Sequence, residues 1–165
     1  MPTIHEAFRT GDLETLRCLV EDPSEFPNGW LGHLWGYPLE YAVYHSPTSF
    51  IRELLDLGAD PNYQDDGSFP SLLAALAAQR DDRYEILEIL LQAGADIQQR
   101  GINDYTPLHF AATRNDPKAV ELLLAHGADP AARTRIDEYT TPLEEAERLN
   151  HPEVLKILRK ASSPR

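Results

Sequence analysis

Apolar residues fall along this chain in short bursts at three- and four-residue spacing, and polar or glycine residues with strong stop and start character separate the bursts. The clearest stretch is TPLHFAATRNDPKAVELLLAHGAD, from Thr106 to Asp129. Thr106 is a good helix N-cap, because its hydroxyl can accept a bond from an orphan N–H of the first turn. Pro107 follows at the first helical position, where its missing N–H costs nothing. Leu108, Ala111 and Ala112 then share one face, and the helix is predicted to end near Asn115, a residue that tolerates the left-handed conformation. Asp116 and Pro117 repeat the cap-then-proline signal and open a second helix with Ala119, Val120, Leu123 and Leu124 on its apolar face. Gly127 is the expected terminator, free to take positive φ. Each predicted helix has about eight or nine residues, below the roughly 12–15 needed for marginal stability in isolation. The pair must therefore bury its apolar faces against something else.

The chain supplies that surface by repeating itself. LLDLGAD (Leu54–Asp60), LLQAGAD (Leu90–Asp96) and LLAHGAD (Leu123–Asp129) follow one pattern, with Gly58, Gly94 and Gly127 spaced 36 and 33 residues apart. Upstream lie YPLEYAV from Tyr37, FPSLLAA from Phe69 and TPLHFAA from Thr106. A further TPLEEAE begins at Thr141 and leads into HPEVLKILRKAS. At the N-terminus, PTIHEAF aligns His5 with His109 and Ala7 with Ala111, and LETLRCLVED aligns Leu16 with Val120 and Leu19 with Leu123. These motifs define five units, at about 1–33, 34–66, 67–102, 103–138 and 139–165.

A period near 33 residues carrying T-P-L-H-x-A resembles the ankyrin-repeat family, and the resemblance covers nearly the whole chain. It implies an all-α repeat solenoid, with a helix–turn–helix per repeat, β-hairpin-like connecting loops and an extended concave binding surface. It also implies that His5 and His109 hydrogen-bond neighbouring loop backbone in a structural role.

Several positions depart from the pattern. Ser71 stands where repeat four has Leu108, and Glu40 and Glu144 occupy the His109 position. Repeat three has four extra residues around LAAQRDDRYE, predicting a longer first helix or inter-helix loop. PSEFPNGWLGHLWG, between repeats one and two, holds both tryptophans, Trp30 and Trp35. They either pack over the first two repeats or form an exposed binding knob. The first and last helices carry polar residues as capping repeats would, which predicts a self-capped array.

At 165 residues the chain fits one domain. It has no signal-peptide pattern and no segment apolar and long enough to span a bilayer, so a cytoplasmic location is the expectation. Cys18 is the single cysteine, which excludes an internal disulfide. It aligns with Leu122 and is expected to be a buried small hydrophobe.

The protein is acidic, with a net charge of −12. Residues 1–99 hold 17 Asp and Glu against 5 Arg, while residues 100–165 balance. Either this is a solvated acidic surface, or it steers in a partner with a basic patch. Direct nucleic-acid binding is disfavoured, since that needs a Lys/Arg stripe.

No metal-ligand spacing, phosphate-cradling loop or nucleophile elbow occurs. The chain is accordingly read as having no catalytic residue, no metal and no cofactor. The expected function is a protein–protein interaction module, an adaptor or scaffold that is monomeric on its own. The alternative is an inhibitor or immunity-type protein occluding a basic enzyme such as a nuclease or toxin.

The positions that vary in the ankyrin pattern, loop tips and the residues after the paired alanines, are the candidate partner-binding set. In repeat two these are His33, Leu34, Tyr44 and His45, and in repeat three Asp65, Asp66, Ser68 and Leu76. Repeat four contributes Ile102, Asn103, Tyr105, Thr113 and Arg114, and repeat five Asp137, Glu138, Thr140 and Arg148. Tyr44 and Tyr105 are weighed as interface anchors against inter-repeat packing, while Tyr41, Phe50 and Phe110 are expected in the core.

Overall fold

The computed structural model describes residues 2–32, 34–63, 69–136 and 138–162. The described residues form two compact units, Met1–Ala95 and Asp96–Arg165. Unit 1 contains α1 (Ile4–Thr10), α2 (Leu13–Leu19), α3 (Pro38–His45), α4 (Thr48–Asp56), α5 (Ser71–Ala77) and α6 (Arg83–Gln92). Unit 2 contains a short 3₁₀ turn (Ile102–Asp104), then α7 (Pro107–Thr113), α8 (Pro117–Ala125), α9 (Pro142–Arg148) and α10 (Pro152–Ser162). No strand occurs among the described residues. The connecting loops turn back on themselves through single backbone bonds, from Gly101 N–H to the Tyr105 carbonyl and from Thr134 N–H to the Thr140 carbonyl, each at 3.0 Å.

Each unit is a stack of helix pairs, the all-α repeat-solenoid architecture. In unit 1, α1 packs on α2 and α3, α3 on α4 and α5, α5 on α6, and α4 on α6. In unit 2, α7 packs on α8 and α9, and α10 on α8 and α9. Within each unit, neighbouring helix pairs thereby cover one another.

Local chemistry explains where the helices begin and end. The side chains of Thr3, Thr106 and Thr141 each cap a first turn, and the third helical residue, Glu6, His109 or Glu144, bonds back to the cap backbone. The GAD motifs close α4, α6 and α8 alike. Ala59, Ala95 and Ala128 donate to Leu54, Leu90 and Leu123, while Gly58, Gly94 and Gly127 donate to Leu55, Leu91 and Leu124. Those glycines have φ of +93, +90 and +89°, and a Cβ there would meet nothing within 4 Å, so the need is for the left-handed backbone and not for space. The aspartate that follows starts the next loop: Asp60, Asp96 and Asp129 each accept from the N–H two residues on, at 2.8–2.9 Å. Asn115, the expected helix stop, has φ 54°.

The core follows the predicted faces. Leu108, Ala112, Ala119, Val120 and Leu123 are fully buried, as is Leu54 of the earlier motif. Phe50 is buried as expected, whereas Tyr41 and Phe110 are only half-buried. Cys18 corrects the sequence reading: it is exposed and unpaired. It lies on the face of α2 that also carries the exposed Glu14 and Arg17, a face turned away from the buried Leu16.

The first helix of repeat three is not lengthened, since α5 and α7 both have seven residues, while the α5–α6 loop, residues 78–82, is longer than the loop at 114–116. The longer loop is structural. The Arg80 guanidinium donates to the carbonyls of Ser46 (2.6 Å) and Val43 (3.2 Å), which satisfies the orphan C-terminus of α3. Asp82 holds the guanidinium in place through two bonds of 2.8 and 2.6 Å. Ser71 has likewise exchanged an apolar contact for a polar one, because its buried hydroxyl donates to the Pro61 carbonyl at 2.6 Å.

Leu123 lies on the stacking face of α8 with no exposed surface. Leu123→Ala is expected to lower unfolding free energy by about 2–5 kcal/mol in urea denaturation. A change below about 0.5 kcal/mol, typical of surface sites, would show the stacking face to be elsewhere.

Candidate protein-binding surfaces

Unit 2 carries a groove of about 570 Å³ lined by Asn103, Tyr105, Thr134, Ile136, Glu138, Thr140, Glu145 and Arg148. Five of these, Asn103, Tyr105, Glu138, Thr140 and Arg148, are positions that the repeat pattern marks for binding. Its walls are two loops, and buried polar groups fix both. Asp104, with a side chain only 9% exposed, accepts from Arg100 at 2.8 Å and from Arg135 at 2.6 Å. Burial raises the pKa of its carboxyl, but the Arg135 bonds and the charges of Arg100 and Arg135 outweigh that and hold it below the ordinary value. Asn103 and Asp104 both take positive φ, 56° each, which turns the loop sharply.

The groove floor centres on Glu145. It is 4% exposed, yet charged. The Thr140 hydroxyl donates to it at 2.7 Å and Arg148 at 2.6 Å. Burial works against the charge, and those hydrogen bonds together with Arg148 carry its pKa below the ordinary value. Arg148 is thus tied down at one end while half of its side chain, 51%, stays open to the groove. Burial and the charge of Glu145 push the Tyr105 hydroxyl pKa up. The Tyr105 ring stacks on His109 with centroids 5.6 Å apart and planes 7° from parallel. Ile136, 48% exposed, supplies an apolar rim.

His109 joins the helix to the loop beneath this groove. Its Nδ1 accepts from Thr106 N–H at 3.4 Å, which assigns the proton to Nε2, and Nε2 donates to the Thr140 carbonyl at 3.0 Å. This is the loop-backbone bond implied by the family resemblance. His5 differs: its exposed ring meets the Tyr41 hydroxyl at 2.8 Å through Nδ1, because α1 starts one position later and Glu6 takes the capping role. Glu40 replaces the histidine in its long-range role, accepting from Phe69 N–H at 3.4 Å.

In unit 1, Tyr44 is half-buried and His45 exposed. Tyr41 and His45 have ring centroids 4.4 Å apart, and His5 lies 5.5 Å from His45. Burial, followed by the charges of His5 and Arg80, holds the His45 pKa below its ordinary value. Leu34 is 83% exposed. Leu76 stands apart from the expectation for the set: α5 is packed by both α3 and α6, residues Ser71–Leu76 are all buried, and Leu76 keeps only 7% of its surface. Elsewhere Ile102, Asn103, Arg114 and Glu138 are exposed, and Thr113 and Thr140 are half-buried. His33, Asp65, Asp66, Ser68 and Asp137 lie outside the described residues. Sequence reasoning missed Glu145 and Asp104, whose only signal was a charged residue beside a capping motif.

A family profile described as ankyrin repeats (3 copies) matches residues 74–164, more than half of the chain. The protein belongs to the ankyrin-repeat family. Human inversin is 32% identical over 160 residues, which takes in 97% of this chain and 15% of inversin. Human SH3 and multiple ankyrin repeat domains protein 2 is 36% identical over 88 residues, covering 53% of the chain and 5% of that protein. Alpha-latroinsectotoxin-Lt1a of Latrodectus tredecimguttatus is 35% identical over 97 residues, covering 58% of the chain and 7% of the toxin. The chain thus spans a small part of the length of each. Family membership supports a protein–protein interaction module. No helix among the described residues is long and apolar enough to cross a membrane.

Burial depresses the His109 pKa. The unfolded chain therefore takes up a proton that native His109 refuses, and its contribution to stability is full above the ordinary value of about 6.5 and fades as pH falls through and below it. Charging Nδ1 would also set an N–H against the Thr106 donor. His109→Gln should flatten the fall of the urea midpoint between about pH 7.5 and 5. Parallel pH profiles for the two proteins would show that His109 titrates alike in both states.

Proposed function

We propose that the protein is a non-catalytic adaptor and that the groove of unit 2 receives a segment of its partner protein. The observation carrying this reading is the pre-organised Glu145–Arg148 pair. A guanidinium already tied at one end loses little freedom on binding and offers its remaining N–H groups to a carbonyl or carboxylate of the partner. Ile136 and Tyr105 beside it supply apolar contact, and a ring held by stacking costs little entropy to use. Asn103, Glu138 and Thr140 then set register from the rim. A cytoplasmic location and a monomeric state belong to the same reading; the exposed, unpaired Cys18 fits a reducing compartment.

A second reading has one observation in its favour. The whole excess of negative charge falls in residues 1–99, which suits a partner with a basic patch, such as an enzyme that the chain would occlude.

The test is affinity capture from host lysate with quantitation of the retained partner. Arg148→Ala and Ile136→Ser should each reduce retention about tenfold or more, as central interface residues do. The exposed Lys156→Ala should leave it unchanged. Equal retention by all four proteins, with circular dichroism showing each folded, would remove the groove from the interface. Release of the partner at about 0.5 M salt would favour the basic-enzyme reading, since that salt screens exposed charge.

A further inference from the structure

Unit 1 contains a different groove, of about 420 Å³, at the join between the first two repeats. Leu19, Phe26, Trp30 and Trp35 form its apolar wall, and Glu21 and Glu25 stand on its rim. Leu19 is 38% and Trp30 46% exposed, although large apolar side chains gain most from burial. Among the described residues, no lysine or arginine lines it. Its volume lies in the range of about 300–1,000 Å³ found for ligand pockets.

This groove is built, not left over. A tight turn closes its outer wall, with Leu31 N–H bonded to the Gly36 carbonyl at 3.0 Å and Gly36 N–H to the Gly32 carbonyl at 2.9 Å. Edge-on ring contacts hold the tryptophans: Trp30 lies 5.3 Å from Tyr37, and Trp35 lies 5.2 Å from Tyr41. Asn28 anchors the base. Its Nδ2 donates to the Gly58 carbonyl at 2.9 Å and its Oδ1 accepts from Asp60 N–H at 2.7 Å. Gly29 is required beside Glu25, because a Cβ there would lie 2.8 Å from the Glu25 Cβ. The Asp22 carboxylate, also on the rim, accepts from Ser24, which lowers its pKa.

We propose that this groove docks a peptide segment in which apolar side chains alternate with lysine or arginine. The apolar residues would cover the tryptophan wall, and the basic residues would pair with Glu21 and Glu25. Charge complementarity selects a basic segment, since an acidic one would meet like charge on the rim and across residues 1–99. Tryptophan faces also attract cations directly. Leu34, next to Trp35 in the chain, is 83% exposed. This inference does not depend on the function proposed for the groove of unit 2.

Both tryptophans of the protein line the groove, so intrinsic tryptophan emission reads its occupancy. The probe is a short synthetic peptide alternating lysine with leucine, titrated into the full chain at low salt. A saturable blue shift is expected, with affinity at least about tenfold weaker for a lysine–serine peptide and for a glutamate–leucine peptide. Trp30→Ala, read through Trp35, and Glu21→Lys with Glu25→Lys should each weaken binding by a similar factor while circular dichroism stays unchanged. The exposed Lys156→Ala should leave it intact. The proposal is overturned by an absence of saturable change or by equal binding of either control peptide. Undiminished binding in the folded rim and tryptophan variants, or loss in folded Lys156→Ala, overturns it too.

Discussion

Helices of seven to eleven residues hold their shape here only because each lays an apolar face on its neighbours. Everything else follows from that dependence. The leucines and alanines of the first helices must meet those of the second, so the turn between them must be short and of fixed geometry. The left-handed residues Gly11, Asn115 and Asn150 supply that geometry between the helices of a pair, while the capping threonines start the first helix and the Gly-Ala-Asp closures end the second. A stack made this way puts its regular backbone inside and leaves the loops to carry the individuality of each repeat.

The loops are nevertheless not loose. Side chains from helices and from other loops tie them down: Arg80 on the end of α3, His109 on Thr140, Asn28 on the Gly58 turn, and Asp104 between Arg100 and Arg135. Arg80, His109 and Asp104 are taken partly or wholly out of water, and each is satisfied, which is the condition for a buried polar contact to order its surroundings. Binding surfaces made from such loops require less ordering when a partner arrives. The stabilising network and the candidate interface are therefore one set of residues in unit 2, where Thr140 accepts from His109 and donates to Glu145.

The two grooves differ in chemistry. That of unit 2 presents a tethered guanidinium beside moderate apolar surface and suits an acceptor-bearing segment. That of unit 1 presents aromatic surface under an acidic rim and suits a basic, apolar one. An ankyrin-repeat scaffold does not itself choose among partners, so these local chemistries carry the specificity.

The repeats, the helix ends and the apolar faces were legible in the sequence because they rest on short-range physics. A cap needs its partner three residues away, and a glycine stop needs only its own φ, so Thr106, Asn115, Gly127 and the face through Val120 and Leu123 could be read directly. Positions on the binding loops were legible only as positions. Whether a side chain there reaches solvent depends on what packs over it. Leu76 is enclosed by helices on both sides, and Cys18 lies on a face of α2 turned from its core. Glu145 reads as an ordinary acidic residue after a cap; Thr140 and Arg148 are its near neighbours in the chain, but only the fold buries it and so makes their two bonds matter to its charge. The tryptophan groove was likewise beyond the sequence, since its walls come from α2 and from a turn whose shape is set by Asn28 clasping a loop some thirty residues on. Local hydrogen bonds and periodicity are written in the order of residues, whereas burial, and with it the charge and reach of each site, is fixed by neighbours that only the folded chain assembles.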